Sequence, residues 1–234
     1  MIDILAAEKG CQVVSIIDPQ APNCYHEINS ESLAEADVCL DFSHPSAVLQ
    51  NMHKVIALGK ALVVGTTGWN EQLAEIRTLV DKANTGLVYG ANFSIGMSVF
   101  KRIVADAVKY LNLFDSYDVY GCEQHHSQKA DSPSGSAIEL ARLILQHSSR
   151  KTTALYDIAA HKIEPQELHF VSLRAGNIPG THTVGFDSEA DSIELTHRVR
   201  SRSCFAEGAL QAALWIAERK GCYSFNEMMS ELLC

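Results

Sequence analysis

Two histidines, a lysine and a helix start fall within one short run, Glu123-Gln124-His125-His126-Ser127-Gln128-Lys129-Ala130-Asp131-Ser132-Pro133-Ser134-Gly135-Ser136-Ala137. An imidazole exchanges protons near neutral pH, and an ammonium beside an anion can donate one, so His125 and Lys129 are candidates for proton transfer. Ser132 suits an N-cap and Pro133 the first helical position, where no amide is needed. Ser134, Gly135 and Ser136 then lie in the first turn, with outward-pointing amides at the positive end of the helix dipole. Gly135 lets a ligand approach the backbone closely. The chemistry this favours is the gripping of a carboxylate beside a proton-exchanging group, with Lys129 adding a full charge.

Other readings of the same residues stay open. Histidines can be buried and bonded to backbone, or the run can be a solvated loop. A zinc site would combine His125 and His126 with His182 or His197, but adjacent histidines are an awkward ligand pair, and no Cys or acidic residue stands at a recognisable ligand spacing. Successive strand residues point to opposite sides. His125 and His126 therefore reach one ligand only if the strand ends there, which Ser127–Ala130 suggests.

The elements that must hold this run divide into two kinds. In the first half, short apolar strands alternate with helical patterns: Gln12–Ile17, Val38–Asp41, Ala61–Val64 and Leu87–Tyr89. Between them, Asn70–Ala83 carries Leu73, Ile76, Val80 and Ala83 at helical spacing, with Asn70 as N-cap and Gly86 as stop. Such alternation means β-α-β units and a parallel sheet, with ligands beyond the carboxyl ends of the strands. Those ends carry Asp18, Ser43-His44, Gly65-Thr66-Thr67 and Ala91-Asn92. An acidic residue such as Asp18 can accept from ribose hydroxyls and repels a 2′-phosphate, which leans toward NADH over NADPH; it can equally be a surface turn.

A helix over Ser94–Leu111, with Val99, Ile103, Ala107 and Tyr110 on one face, opens a second region. Tyr117–Glu123, Leu168–Ala175, Thr181–Asp187 and Ser192–Ser201 alternate like antiparallel strands, interrupted by a helix over Ser134–His147. Ala206–Lys220 reads as a final amphipathic helix. The fold class is α/β: a Rossmann-like dinucleotide-binding domain, 1–93 with 205–234, and an α+β substrate and oligomerisation domain with an open mixed sheet, 94–204.

Composition narrows the function. The formal net charge is −9 with no dense Lys/Arg run, which argues against nucleic-acid binding. No apolar run approaches the ~20 residues of a membrane span. The first ten residues lack the basic start of a signal peptide, so a cytoplasmic location is expected. The seven cysteines, Cys11, Cys24, Cys39, Cys122, Cys204, Cys222 and Cys234, are scattered without a Cys-x-x-Cys pair. They read as reduced core or surface thiols.

The histidine-lysine run resembles the signature of the 4-hydroxy-tetrahydrodipicolinate (dihydrodipicolinate) reductases, Glu-x-His-His-x-x-Lys-x-Asp-x-Pro-Ser-Gly-Thr-Ala, with Ser136 in place of the usual Thr. Asp41-Phe42-Ser43-His44-Pro45, Gly65-Thr66-Thr67-Gly68, Ala91-Asn92-Phe93-Ser94-Ile95-Gly96, Arg174-Ala175-Gly176 with Gly180-Thr181-His182, Glu194–His197 and Ser201–Ala209 extend the resemblance along nearly the whole chain. It implies NADH- or NADPH-dependent reduction of a small cyclic dicarboxylate, a homotetramer built through substrate-domain sheets, and no metal. His125 would be the proton donor or acceptor and Lys129 a proton donor. His126, Gly135 and Ser136 would hold the substrate carboxylates. Gly65, Thr66 and Thr67 with Gly90, Ala91, Asn92 and Phe93 would line the nicotinamide end, and Asp18 would hold the adenosine ribose. The family opens with a strand and a Gly-x-x-Gly-x-Met-Gly turn. Here Met1–Glu8 already reads as the helix that follows such a turn, so about 15–20 residues of strand and turn are expected to be absent, and no pyrophosphate-binding residue is assigned.

Overall fold

The computed structural model describes residues 2–156, 159 and 161–233. The chain divides into two compact units, Met1–Ile95 with Ser203–Cys234, and Gly96–Arg202.

In the first unit, α1 (Ile2–Glu8) precedes β1 (Val38–Asp41), α2 (Pro45–Ala57), β2 (Ala61–Val64), a 3-10 turn (Asn70–Gln72), α3 (Leu73–Ala83) and β3 (Gly86–Tyr89). Met1, included in the expected helix, lies outside the described residues. The strands are parallel, in the order β1-β2-β3. Helices cover both faces, so the strands are apolar on both sides rather than alternating. Leu62, Val64 and Leu87 pack with Val48, Met52, Ile76 and Val80 of α2 and α3. Val63 and Val88 face the opposite layer. Each fully buried aliphatic side chain there stabilises the fold by about 1.5–3 kcal/mol.

The second unit contains α4 (Ile95–Leu111), β4 (Asp118–His125), α5 (Gly135–His147), β5 (Thr153–Leu155), β6 (Glu167–Arg174), β7 (Thr181–Asp187) and β8 (Ser192–Arg198). The sheet order is β5-β6-β4-β7-β8. Met97, Phe100, Val104 and Val108 of α4 and Ala137, Leu140, Ala141 and Ile144 of α5 bury one face of it, against Val119, Leu168, Phe170, Val184 and Phe186. On the other face Tyr120, Val171 and Leu173 stay exposed.

The chain then completes the first unit with α6 (Ser203–Ile216), β9 (Gly221–Ser224) and α7 (Phe225–Leu232). β9 adds to β3 in parallel. α6 supplies Ala209, Ala212, Ala213 and Ile216 to the layer opposite α2 and α3.

Several expectations need correction. Gln12–Ile17 is not a sheet strand; it makes one isolated bridge, Ile17 to Tyr25, and Ile16 is 56% exposed. A strand forms only against a neighbour, and among the described residues β1 pairs with β2 alone. α3 starts at Leu73 behind the 3-10 turn, so Asn70 is not its cap. The helix stops at Asn84, which adopts the left-handed conformation (φ 51°, ψ 45°) that Asn tolerates, while Gly86 opens β3. The proposed α4 stripe faces largely outward, with Ile103 50% and Tyr110 68% exposed. α4 carries apolar residues on more than one face, and contact with the sheet selects the stripe of Phe100 and Val104. β6 runs parallel to β4, and the antiparallel pairs among the described residues are β4–β7 and β7–β8. α6 begins three residues before the expected Ala206 and ends at Ile216 rather than Lys220. The short β9 and α7 had no separate signal. Cys11, Cys24, Cys39, Cys122, Cys204 and Cys222 are half-buried free thiols. Burial pushes Cys39 and Cys222 up to about 11. Cys234 lies outside the described residues.

Candidate active site

β4 carries the chemistry at its carboxyl end. Alternation along the strand turns Val119, Gly121, Glu123 and His125 inward. The strand ends at His125, so His126 begins the turn, and its carbonyl accepts from the Lys129 amide at 3.1 Å. Ser127 N–H donates to Gly176 O at 3.1 Å, tying this turn to the one after β6.

Glu123, whose side chain is fully buried, organises the site. Its Oε2 is hydrogen-bonded to Nδ1 of His125. Its Oε1 accepts from Arg174 Nη2 at 2.7 Å and from the Ser134 amide at 3.2 Å. Burial alone would raise this carboxyl's pKa; bonds from Arg174, His125 and Ser134 outweigh it and hold the group ionised, below its ordinary value. The motif displayed this glutamate, but sequence reasoning gave it no role. Its signal was the period of two that places it on the same face as His125. Arg174 also donates to the Asp131 carbonyl at 2.7 Å, clamping the loop that leads to α5.

That loop corrects the cap. Ser134, not Ser132, is the N-cap of α5: its backbone is extended (φ −70°, ψ 155°), and its hydroxyl accepts from Ala137 N–H at 3.2 Å. The Ser134 amide is held by Glu123, and that bond places the start of the helix. Gly135 and Ser136 are consequently the first two helical residues. A Cβ built on Gly135 meets nothing within 4 Å, so the space beside this residue is open. Lys129 reaches Asp131 Oδ1 at 2.6 Å, and this pairing lowers the Asp131 pKa.

His182 on β7 stands beside His125, with ring centroids 5.2 Å apart and planes at 76°. Its Nε2 lies 3.4 Å from Ser134 Oγ. Burial, reinforced by neighbouring His125, pushes its pKa down to about 4. Burial likewise lowers His125, against the opposing pull of Glu123. Both rings therefore favour the neutral form. A histidine whose folded pKa is depressed binds fewer protons folded than unfolded. Its contribution is intact above pH 6.5 and lost as pH falls from there toward about 4. His182→Asn is expected to flatten the fall in unfolding free energy over that window by about 2–3 kcal/mol. Urea titrations at a series of pH values check this; an unchanged slope would refute it.

The zinc alternative meets a different geometry. Glu123, His125 and His182 bring ligand atoms within 4.8 Å of one another. Both Glu123 oxygens already accept bonds, and Arg174 stands at one of them. A divalent ion would have to displace or oppose that guanidinium.

In the first unit, the ends of β1, β2 and β3 are joined by polar bonds. Asp41 is buried, accepting from Thr66 Oγ1 at 2.7 Å, Ser43 Oγ at 2.8 Å and Asn51 Nδ2 at 2.8 Å. The Thr66 hydroxyl is therefore committed to structure, while Thr67 stays exposed. Gly65 lies under the Phe42 ring, where a Cβ would come within 2.1 Å. Gly90 N–H donates to Val64 O at 3.0 Å, linking β3 to β2. Phe93 is buried between Phe42 and Phe225, and Asn92 Oδ1 accepts from Ser94 N–H at 2.9 Å. Ala91 remains exposed. Glycines and small exposed residues at the carboxyl ends of parallel strands fit the flat nicotinamide end of a dinucleotide. Asp18 is exposed, and its Oδ1 accepts from Gln20 and Ala21 amides at 2.8 and 3.2 Å, so one carboxylate oxygen holds its own turn.

Known proteins share both units. Residues 2–93 match the dihydrodipicolinate reductase N-terminus and 96–229 its C-terminus. The chain belongs to the dihydrodipicolinate reductase family. It is 34% identical over 231 residues to the 4-hydroxy-tetrahydrodipicolinate reductase of Christiangramia forsetii, covering 99% of this chain and 93% of that one. It is 37% identical over 205 residues to the enzyme of that name from Ralstonia pickettii, covering 84% and 75%. The dipicolinate-bound dihydrodipicolinate reductase from Paenisporosarcina sp. TG-14 has the same fold, with a TM-score of 0.74 at 23% identity over 96% of this chain and 94% of that one. The α/β reading with a Rossmann-like sheet and a separate mixed sheet thus stands, as does the family resemblance.

Proposed function

We propose that this reductase converts 4-hydroxy-tetrahydrodipicolinate to tetrahydrodipicolinate with NADH or NADPH, on the diaminopimelate route to lysine. The observation that carries the reading is the Glu123–His125 pair beside the open helix start of α5, with Lys129 on the connecting turn. A reduced nicotinamide, when bound, supplies a hydride to C4 of the ring. Water leaves with the 4-hydroxyl, and a proton reaches the adjacent carbon, so the balance is one hydride and one proton in, one water out. The first-turn amides of Gly135 and Ser136 and the imidazole of His126 would hold the carboxylates, with Lys129 exchanging Asp131 for the substrate. His125 or Lys129 would deliver the proton. Holding the ring in one orientation can lower the barrier by about 7–11 kcal/mol in favourable cases.

Gly65, Thr66, Thr67 and Gly90 through Phe93 would line the nicotinamide, with Thr66 acting through the backbone because its hydroxyl serves Asp41. The exposed Asp18 carboxylate would meet the adenosine ribose and favour NADH. No metal takes part in this reading. The exposed Tyr120, Val171 and Leu173 on the free sheet face suit burial in a homotetramer; sedimentation as a monomer would overturn that. The setting is the cytoplasm, which fractionation can check. Among the described residues no helix is long and apolar enough to cross a membrane.

The direct test is a coupled assay in which a synthase supplies the unstable substrate and cofactor oxidation is followed. Oxidation dependent on the synthase product, unchanged by a chelator and faster with NADH than NADPH, is expected. No oxidation would reject the activity, chelator sensitivity the metal-free reading, and faster NADPH use the role of Asp18.

A further inference from the structure

We propose that Glu123 is a positioning residue that fixes His125 as its Nδ1–H tautomer, leaving Nε2 as the atom where the proton is taken up and released. The inference rests on the reaction proposed above, for which His125 is the proton-exchanging group. Four observations lead to it. An ionised carboxylate only accepts hydrogen bonds, so the His125 nitrogen against Glu123 Oε2 must carry hydrogen. Glu123 is kept ionised there by Arg174 and the Ser134 amide. The opposite edge of the ring faces Gly180 (φ 154°), where a Cβ would sit 3.1 Å from Nε2 and 3.4 Å from Cδ2. Only a residue without a side chain leaves that edge clear. His182, set nearly perpendicular at 5.2 Å, restricts the ring flip that would exchange the two edges.

The same carboxylate therefore holds the proton-exchanging ring through one oxygen and the helix start through the other. When Nε2 takes up a proton, the resulting imidazolium donates from Nδ1 to a charge already in place. No reorganisation of Glu123 is needed in that step.

The test separates the tautomer from the fold. In the native full chain, nitrogen NMR of labelled histidine at pH 7 is expected to show His125 protonated at Nδ1, its resonance assigned by the loss seen in His125→Gln. Protonation at Nε2 would overturn the proposal without any variant. In Glu123→Gln the amide oxygen can still accept from Arg174 and Ser134, while its NH2 faces Nδ1 and forces the other tautomer. The expected result is a fall in kcat of about 100-fold or more, with substrate KM within about threefold and the His125 resonances inverted. A folded variant with unchanged kcat would sink the idea. An inactive native chain would count against the reaction and leave the tautomer result standing. An active native chain with the wrong tautomer would fail this inference alone.

Discussion

His125→Gln combined with Lys129→Met is expected to lower turnover by about 10²–10⁴-fold. The two groups are best removed together, because each is proposed to deliver the proton that completes the product and such effects are not additive. Lys129 is only partly exposed and its ion-pair partner among the described residues, Asp131, is an exposed carboxylate. It can therefore leave that partner for a substrate anion at little cost. His125 stands two residues from a fully buried carboxylate on the same strand, so its position is set before any ligand arrives. Neither residue belongs to the unit that carries the parallel sheet. Cofactor affinity by fluorescence titration should therefore stay within about twofold, since the dinucleotide contacts proposed above are on that sheet's strand ends. A double variant retaining a tenth of the native rate would show that protons travel another way.

The second large effect is on stability. Arg174→Met removes the cation beside Glu123 and leaves the Asp131 carbonyl without its donor. Breaking one side of a buried pair costs about 3–5 kcal/mol, because the remaining charge stays desolvated. The pH dependence gives the sign. The Glu123 pKa is lowered in the folded protein, so its contribution is present above the unfolded value of 4.5 and lost as pH falls through the folded value. The deficit of the variant should be largest near pH 7 and shrink under acid, where a protonated Glu123 needs no counter-charge. Urea unfolding of both proteins at pH 7 and pH 4 checks this. A loss below about 1 kcal/mol at pH 7, or one that does not change with pH, would mean the bridge is not a stabilising element.

Much of this arrangement is legible in the sequence where one period dominates. Val38–Asp41, Ala61–Val64 and Thr181–Asp187 occur as read because short apolar runs between turn residues have little choice. The inward alternation of β4 likewise carries His125 to the site. Legibility fails where the outcome depends on a distant partner. Gln12–Ile17 has the composition of a strand, yet pairing is decided by what lies beside it. α4 offers two apolar faces, and its sequence does not say which one meets the sheet. Ser132 and Ser134 are equally good caps by type; the amide bond to Glu123, eleven residues upstream, favours the second. Arg174 lies fifty-one residues from Glu123, and no local pattern joins them.

Tyr120, Cys122 and Gln124 alternate along β4 with Gly121, Glu123 and His125 and point the other way. One strand thus interleaves two vocabularies, reaction at odd positions and surface at even ones. Mutation can rewrite the surface letters while leaving the reaction letters untouched. Inserting or deleting a single residue would transpose the two, putting Gln124 where an imidazole belongs. Length along this strand is therefore held more tightly than residue type at its even positions.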